Sequence, residues 1–272
     1  MESTSTKKVR INYCIGTWSG QRARIDFNDS FIRQHIKHLN TLKHEMSQIS
    51  IGHPKNPTET SEYTEYIRNL SSLDDGTPIV VHDMKNKAMS YGQWSRMFLR
   101  YKNEFTHYIF IEDDYVPVVN RFDEIFIEML EEKCKSCNNL GYLCGLVFDD
   151  KITRYKRKHK TRHAGISNGI ATAETLQAII DKFGHLVPDS AAPMNAQVVF
   201  SSLFSESGFE ILDYLDQYQA PYYSNGNHLR IYEPNQENFI IPIQCLDAKT
   251  TWDITTITKH NQTKSLHSHF CI

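Results

Sequence analysis

Tyr108-Ile109-Phe110-Ile111-Glu112-Asp113-Asp114-Tyr115-Val116-Pro117 carries four large, mainly apolar residues straight into three carboxylates. A short continuous apolar run reads as a strand buried on both faces, as in a parallel sheet covered by helices. In open α/β sheets, ligands bind outside the carboxyl ends of the strands, so these acids are expected to meet a ligand. If extended geometry persists through them, Glu112 and Asp114 share a face. Neighbouring carboxylates repel one another unless a cation offsets their charge. A hard ion such as Mg²⁺ or Mn²⁺, held by one or two carboxylates together with phosphate oxygens, meets that need. The competing reading is an acidic strand end that caps the helix beginning near Phe122. A cap requires one carboxylate and not three.

Outward from this stretch, strand and helix patterns alternate. Residues 9–15 predict a strand that ends in the small-residue loop Gly16-Thr17-Trp18-Ser19-Gly20. Phe31, Ile32, Ile36, Leu39 and Leu42 fall at helical spacing behind the capping residues 28–30. Residues 48–51 predict a strand, 62–70 a short helix, 78–82 a strand, and 91–101 a helix with Trp94, Met97, Phe98 and Tyr101 inward. Beyond the acids, 122–132 predict a helix and 142–148 a strand. Such alternation implies an α/β fold, a mainly parallel sheet with right-handed crossovers. Past Phe148 the pattern loosens into a basic run and the stretch Gly165-Ile166-Ser167-Asn168-Gly169. Residues 174–183, 195–204 and 209–218 then read as helical, 229–232 and 239–244 as strands, and the tail from Thr258 is polar and His-rich. No repeat or low-complexity linker interrupts the chain, which reads as one domain over 1–272.

Composition narrows the function classes. With 30 basic and 32 acidic side chains the formal net charge is −2, so no global field recruits nucleic acid or an anionic membrane. No apolar run is long enough to span a bilayer, and the N-terminus lacks a signal peptide's apolar core, so a cytoplasmic location is expected. Six cysteines in 272 residues do not describe a disulfide scaffold. Cys134 and Cys137 form one Cys-x-x-Cys, but no second pair or close His pair completes a zinc site.

Ile111-Glu112-Asp113-Asp114-Tyr115 at the end of an apolar strand resembles the Asp-x-Asp motif of GT-A glycosyltransferases. The longer phrase from Tyr108 to Pro117 is similar to that of sugar transferases encoded by large viruses of chlorella-like algae. Residues 86–92 with their helix resemble the segment beside the donor nucleotide, and residues 165–169 the Gly-containing stretch that lines the donor sugar. The likeness covers residues 9–205 and departs at Glu112, where the motif has Asp. It implies a GT-A-like mixed, mainly parallel sheet, with residues 9–150 as a nucleotide-binding half and 151–272 as an acceptor half. Asp114 would bind Mn²⁺ or Mg²⁺ directly, with Glu112 on the ribose or a metal-bound water and Asp113 orienting its neighbours. Gly16, Thr17 and Trp18 would approach the nucleotide, with Asp83, Asn86 and Gly165 also on the donor. His260 and Lys264 loosely resemble the pairing in which a C-terminal His reaches the metal and a Lys the diphosphate. A polar terminus without that role is the alternative.

Two further features stand apart from the motif. The basic run from Lys151 to Arg162 suits a solvated loop over the donor pyrophosphate better than a nucleic-acid site, because only Tyr155 interleaves it. Asp189 follows Pro188 and is a candidate base for the acceptor hydroxyl, with turn chemistry as the alternative. The expected activity is sugar transfer from a nucleotide-diphosphate donor, uridine-linked, to a glycan or other hydroxyl acceptor. A nucleotidyltransferase, a metal phosphohydrolase and a non-catalytic carbohydrate-binding protein of the same fold are the rivals.

Overall fold

The computed structural model describes residues 8–17, 31–54, 61–102, 104–113, 115–117, 119–145, 147–148, 163–164, 168–192, 195–214, 228–231, 243–245 and 265–268. The first half runs β1 (Ile11–Gly16), α1 (Phe31–Thr41), β2 (Gln48–Pro54), α2 (Ser61–Asn69), β3 (Ile79–Met84), α3 (Met89–Tyr101), β4 (His107–Glu112), β5 (Tyr115–Pro117), α4 (Phe122–Ser136) and β6 (Leu140–Cys144). After it come β7 (Val147–Phe148), β8 (His163–Ala164), β9 (Asn168–Thr172), α5 (Ala173–Phe183), α6 (Ala196–Glu206), β10 (Glu210–Asp213), β11 (His228–Ile231), β12 (Ile243–Cys245) and β13 (Ser265–Ser268).

Seven strands form one sheet in the order β10-β6-β9-β4-β1-β2-β3. Strands β3, β2, β1 and β4 run parallel, β9 lies antiparallel between β4 and β6, and β10 returns parallel to β6. Period-two alternation divides the sheet's side chains between two cores. Tyr13, Ile15, Ile109 and Ile111 pack on one face with Ile32, Ile36 and Leu39 of α1 and Phe122 and Phe126 of α4. Cys14, Tyr108 and Phe110 pack on the other with Trp94 and Phe98 of α3, Ile179 of α5 and Phe200 of α6. Both faces are covered, which is why residues 108–111 show no polar alternation.

Three sequence expectations differ from the structure. Residues 209–218 were expected to be helical, yet Glu210–Asp213 is a strand beside β6. Helix α6 stops first, in a Schellman arrangement: Gly208 takes φ +85°, its N–H reaches Ser205 O at 3.0 Å, and the Phe209 N–H reaches Phe204 O at 3.0 Å. The strand expected over 142–148 is two strands, β6 and β7, broken at Gly145, whose N–H turns to Asn168 O at 3.1 Å. Of the Gly-containing stretch expected to line the donor sugar as a loop, Asn168 and Gly169 instead open β9. Gly169 fits there through close approach: a Cβ would lie 2.5 Å from the Tyr142 ring and 2.6 Å from Leu143 O. Within the polar tail, Ser265–Ser268 pairs with β11. No helix among the described residues is long and apolar enough to cross a membrane.

Helix α3 approaches the carboxyl ends of β1 and β4 more closely than side chains normally permit. A Cβ at Gly16 would sit 2.6 Å from Ser90 Cβ and 3.0 Å from Ser90 Cα, the latter a backbone atom that cannot swing aside. Trp94 lies behind, stacked on Phe110 at 5.4 Å with its indole N–H donating to Ile111 O at 3.3 Å. Gly16→Ala is therefore expected to destabilise the fold by about 1–3 kcal/mol, the usual range for overpacking. Urea unfolding checks this, and an unchanged midpoint would mean that α3 does not sit this close.

Candidate functional site

The chain leaves β1 toward β2 and β3, then returns on the opposite side of β1 as β4. Strand order thus reverses between β1 and β4, and a crevice at such a switch point is where open α/β sheets bind ligands. The two strands end in register, Gly16 opposite Glu112. The Asp113 N–H donates to Gly16 O at 3.0 Å, so the first residue of the acidic turn is tied to the end of β1.

Side chains from α3 organise both strand ends. Ser90, in the first turn, donates its hydroxyl to Glu112 Oε1 across the space a side chain at residue 16 would fill. Gln93, one turn on and fully buried, accepts the Thr17 N–H at 3.0 Å and donates to Thr17 O at 3.0 Å. The Thr17 hydroxyl donates to Gly52 O at 2.8 Å, so Thr17 is held on three sides. Arg96 straps the loop before the helix, donating to Lys85 O at 3.0 Å and Lys87 O at 3.2 Å while pairing with Asp189 at 2.7 Å. That loop ends with two non-glycine residues in the left-handed region, Ala88 at φ 55° and Met89 at φ 51°. Such backbone stores strain, and it persists only where its surroundings over-determine it.

On the opposite face lies a buried polar relay. His35 of α1 is fully buried, with Nδ1 3.2 Å from Asp113 O and Nε2 2.8 Å from the Tyr13 hydroxyl. A carbonyl only accepts, so Nδ1 carries the proton and the Tyr13 O–H donates to Nε2. Burial pushes the His35 pKa down from 6.5 to about 3, only partly opposed by the hydrogen bond to Asp113. The imidazole is therefore neutral throughout the working range.

The expected site residues fall into three groups. Gly16, Thr17, Glu112 and Asp113 are brought together at the switch point. Strand geometry does not persist through the acids: β4 ends at Glu112, Asp113 is a turn residue only 4% exposed, and β5 starts at Tyr115. The expectation that Glu112 and Asp114 share one strand face loses its basis there. Asp83 lies apart, at the end of β3 with β2 between it and β1, exposed and paired with Arg68 at 3.1 Å. Asn86 is exposed in the loop that Arg96 straps. Asp189 is also exposed, at the other end of the Arg96 pair. Trp18, Asp114, Gly165, His260 and Lys264 lie outside the described residues.

Sequence reasoning missed Ser90, Gln93, His35 and Asn168. Asn168 is buried at the start of β9, opposite Ile111, and accepts the Tyr214 hydroxyl at 2.6 Å. The signal for His35 and Gln93 was available, as polar residues on the apolar stripe of an amphipathic helix. Ser90 and Asn168 fall inside the stretches 86–92 and 165–169 that the resemblance singles out, but nothing in the sequence marks either residue within its stretch. Beyond the acidic turn, β12 pairs antiparallel with β5, Cys245 opposite Tyr115.

Neither a protein-family model nor a curated protein matches the sequence. Solved structures do match the fold. A mannosyltransferase from Pyrobaculum calidifontis, solved with GDP-Man and Mn²⁺, aligns over 76% of this chain at a TM-score of 0.50 and 7% identity. The aligned part is 55% of that protein. A Bacillus anthracis protein described as a glucose-1-phosphate thymidylyltransferase aligns over 75% of this chain and 87% of its own, with TM-score 0.48 and 10% identity. Mouse xyloside xylosyltransferase 1 aligns over 76% and 86%, with TM-score 0.42 and 11% identity. The first of these matches and the sheet order show a GT-A-like fold.

The relay makes a pH prediction. Between about 3 and 6.5 the unfolded chain binds a proton on His35 that the native state refuses, so stability falls as pH drops through that window. The contribution is fully present above 6.5 and is lost below it at no more than about 1.4 kcal/mol per pH unit. His35→Asn should flatten the slope of unfolding free energy against pH between 6 and 4, measured without metal or nucleotide. An identical slope would mean that His35 is protonated in the native state.

Proposed function

We propose that this chain transfers a sugar from a nucleotide-diphosphate donor, uridine-linked, to a glycan or other hydroxyl acceptor with the help of Mn²⁺ or Mg²⁺. The observation that carries this reading is the register of Gly16 with Glu112 at the switch point, which sets a carboxylate beside a side-chain-free strand end. A nucleotide lying across that point would meet the backbone of residues 16 and 17 and, through the metal, the acids.

The residues present fit a hard divalent ion in part. Glu112 offers a carboxylate whose orientation Ser90 sets. Among the described residues no three His, Cys, Asp or Glu side chains gather into a cluster. Asp114, the donor's phosphate oxygens and water would complete the shell, with His260 as a nitrogen ligand and Lys264 on the diphosphate. When bound, the ion supplies Lewis acidity toward the departing nucleoside diphosphate. The chain's own part is to hold the strand ends rigid. Gln93 fixes Thr17, Ser90 fixes Glu112, and Arg96 fixes the loop before α3. Asp189 remains proposed on the acceptor side, where a carboxylate 67% exposed is accessible to an incoming hydroxyl.

The same fold would also serve nucleotidyl transfer, and the leaving group separates the two. Incubation with nucleotide sugars, acceptor and Mn²⁺ should release nucleoside diphosphate, and a parallel incubation with nucleoside triphosphates, sugar 1-phosphates and Mn²⁺ should release no pyrophosphate. Asp114→Asn is expected to lose most of this activity with an unchanged unfolding midpoint. Glu112→Gln should be milder, because a Gln carbonyl oxygen still accepts from Ser90. Pyrophosphate released from triphosphate and sugar 1-phosphate would replace this reading with its rival, and near-normal turnover by Asp114→Asn at limiting Mn²⁺ would sink the metal assignment.

A further inference from the structure

We propose that His35 is a positioning residue for the acidic turn, acting from beneath it through the Asp113 carbonyl, with Tyr13 setting its tautomer. The proposal rests on the reading of residues 112–114 as the metal-binding turn, and it names a residue in the opposite layer that touches neither metal nor donor.

Position 35 lies on the apolar stripe of α1 among Ile32, Ile36 and Leu39, where an aliphatic side chain would pack without a polar cost. A buried imidazole there is tolerated because both ring nitrogens are satisfied, one by Tyr13 and one by the carbonyl. The carbonyl it holds is a particular one. Asp113 is the residue at which β4 gives way to a turn, and its peptide C=O belongs to the link leading into Asp114. With the Asp113 N–H on Gly16 O at 3.0 Å and its C=O on His35 at 3.2 Å, the peptide groups on both sides of Asp113 are anchored. Fixing them sets the orientation of both peptide groups flanking Asp113 before any ligand arrives. Prior positioning of this kind is what a metal-binding turn needs from its supporting residues. Tyr13 completes the relay. Its donated proton occupies Nε2 and so commits the Nδ1 proton to the carbonyl, and aligned donors in sequence strengthen one another.

Two amide substitutions separate positioning from mere packing. The Asn side-chain nitrogen reaches about as far as Nδ1 and can donate to Asp113 O, whereas the Gln amide reaches Nε2's place and can engage Tyr13 alone. Full-length wild type, His35→Asn, His35→Gln and His35→Phe are titrated with Mn²⁺ in saturating UDP, free Mn²⁺ being read by electron paramagnetic resonance. Melting temperatures are recorded alongside. His35→Asn should bind Mn²⁺ within about threefold of wild type, and His35→Gln and His35→Phe about 10–100-fold more weakly, the usual effect of losing an outer support of a metal site. Equal losses in the Asn and Gln variants, or affinities that simply follow melting temperature, would overturn the proposal. Tyr13→Phe removes one hydroxyl from an intact core and keeps the question answerable if the His35 variants fail to fold. It should weaken Mn²⁺ uptake by up to about fivefold, and unchanged uptake would count against the relay. A wild type that takes up no Mn²⁺ with UDP would instead bring down the reading of the turn itself.

Discussion

The hydrogen bond from the Asp113 N–H to the Gly16 carbonyl closes the ends of the two central strands onto each other. It extends a parallel ladder in which Ile11 to Gly16 run in step with His107 to Glu112. Shifting that ladder by one residue would exchange Tyr13 and Ile15 for Cys14 on each face and scramble both cores. The position of Glu112 beside the first strand therefore follows from burial along the whole pair, not from local chemistry at the acids. Because residue 16 has no side chain, the ladder can end directly under α3, and Ser90 can reach the carboxylate across the gap.

Helix α3 then determines what the strand ends present. Its first turn begins from two left-handed residues, a conformation that costs on the order of 1–3 kcal/mol at each non-glycine position. The Arg96 guanidinium offsets part of this by holding the carbonyls of Lys85 and Lys87, and Asp189 holds Arg96 in turn. A relaxed loop would move the first turn, and with it Ser90, away from Glu112. Strain near the site and the strap that maintains it are thus one structural feature.

Much of this was legible in the sequence because it follows from burial. The run 108–111 and the helix stripe at Phe31, Ile32, Ile36 and Leu39 each report which faces are covered. What failed was what depends on partners distant in sequence. Residues 209–218 carry apolar positions at helical spacing, but Gly208 ends α6 and the next residues find an open edge at β6. Here tertiary pairing overrides a weak periodicity. Glycine at residue 208 after eleven helical residues was the readable stop signal. At the site, the acids and Gly16 were legible as a strand end, while Ser90 and Asn168 were legible only as members of the stretches 86–92 and 165–169. Their roles come from a helix and a strand packed beside residues 22 and 57 positions away, at Glu112 and Ile111. His35 and Gln93 lay between these cases: visible as polar intrusions on apolar stripes, yet silent about which backbone groups they hold.

The central claim is that the switch point between β1 and β4 binds a divalent ion together with a nucleoside diphosphate. Crystals of the full chain grown with Mn²⁺ and UDP, with data collected at the manganese absorption edge, test it most directly. The account predicts an anomalous peak against the turn at residues 112–114, with the diphosphate beside it and the nucleoside running toward residues 16 and 17. A manganese peak elsewhere on the molecule, or ordered UDP bound away from that crevice, would contradict it.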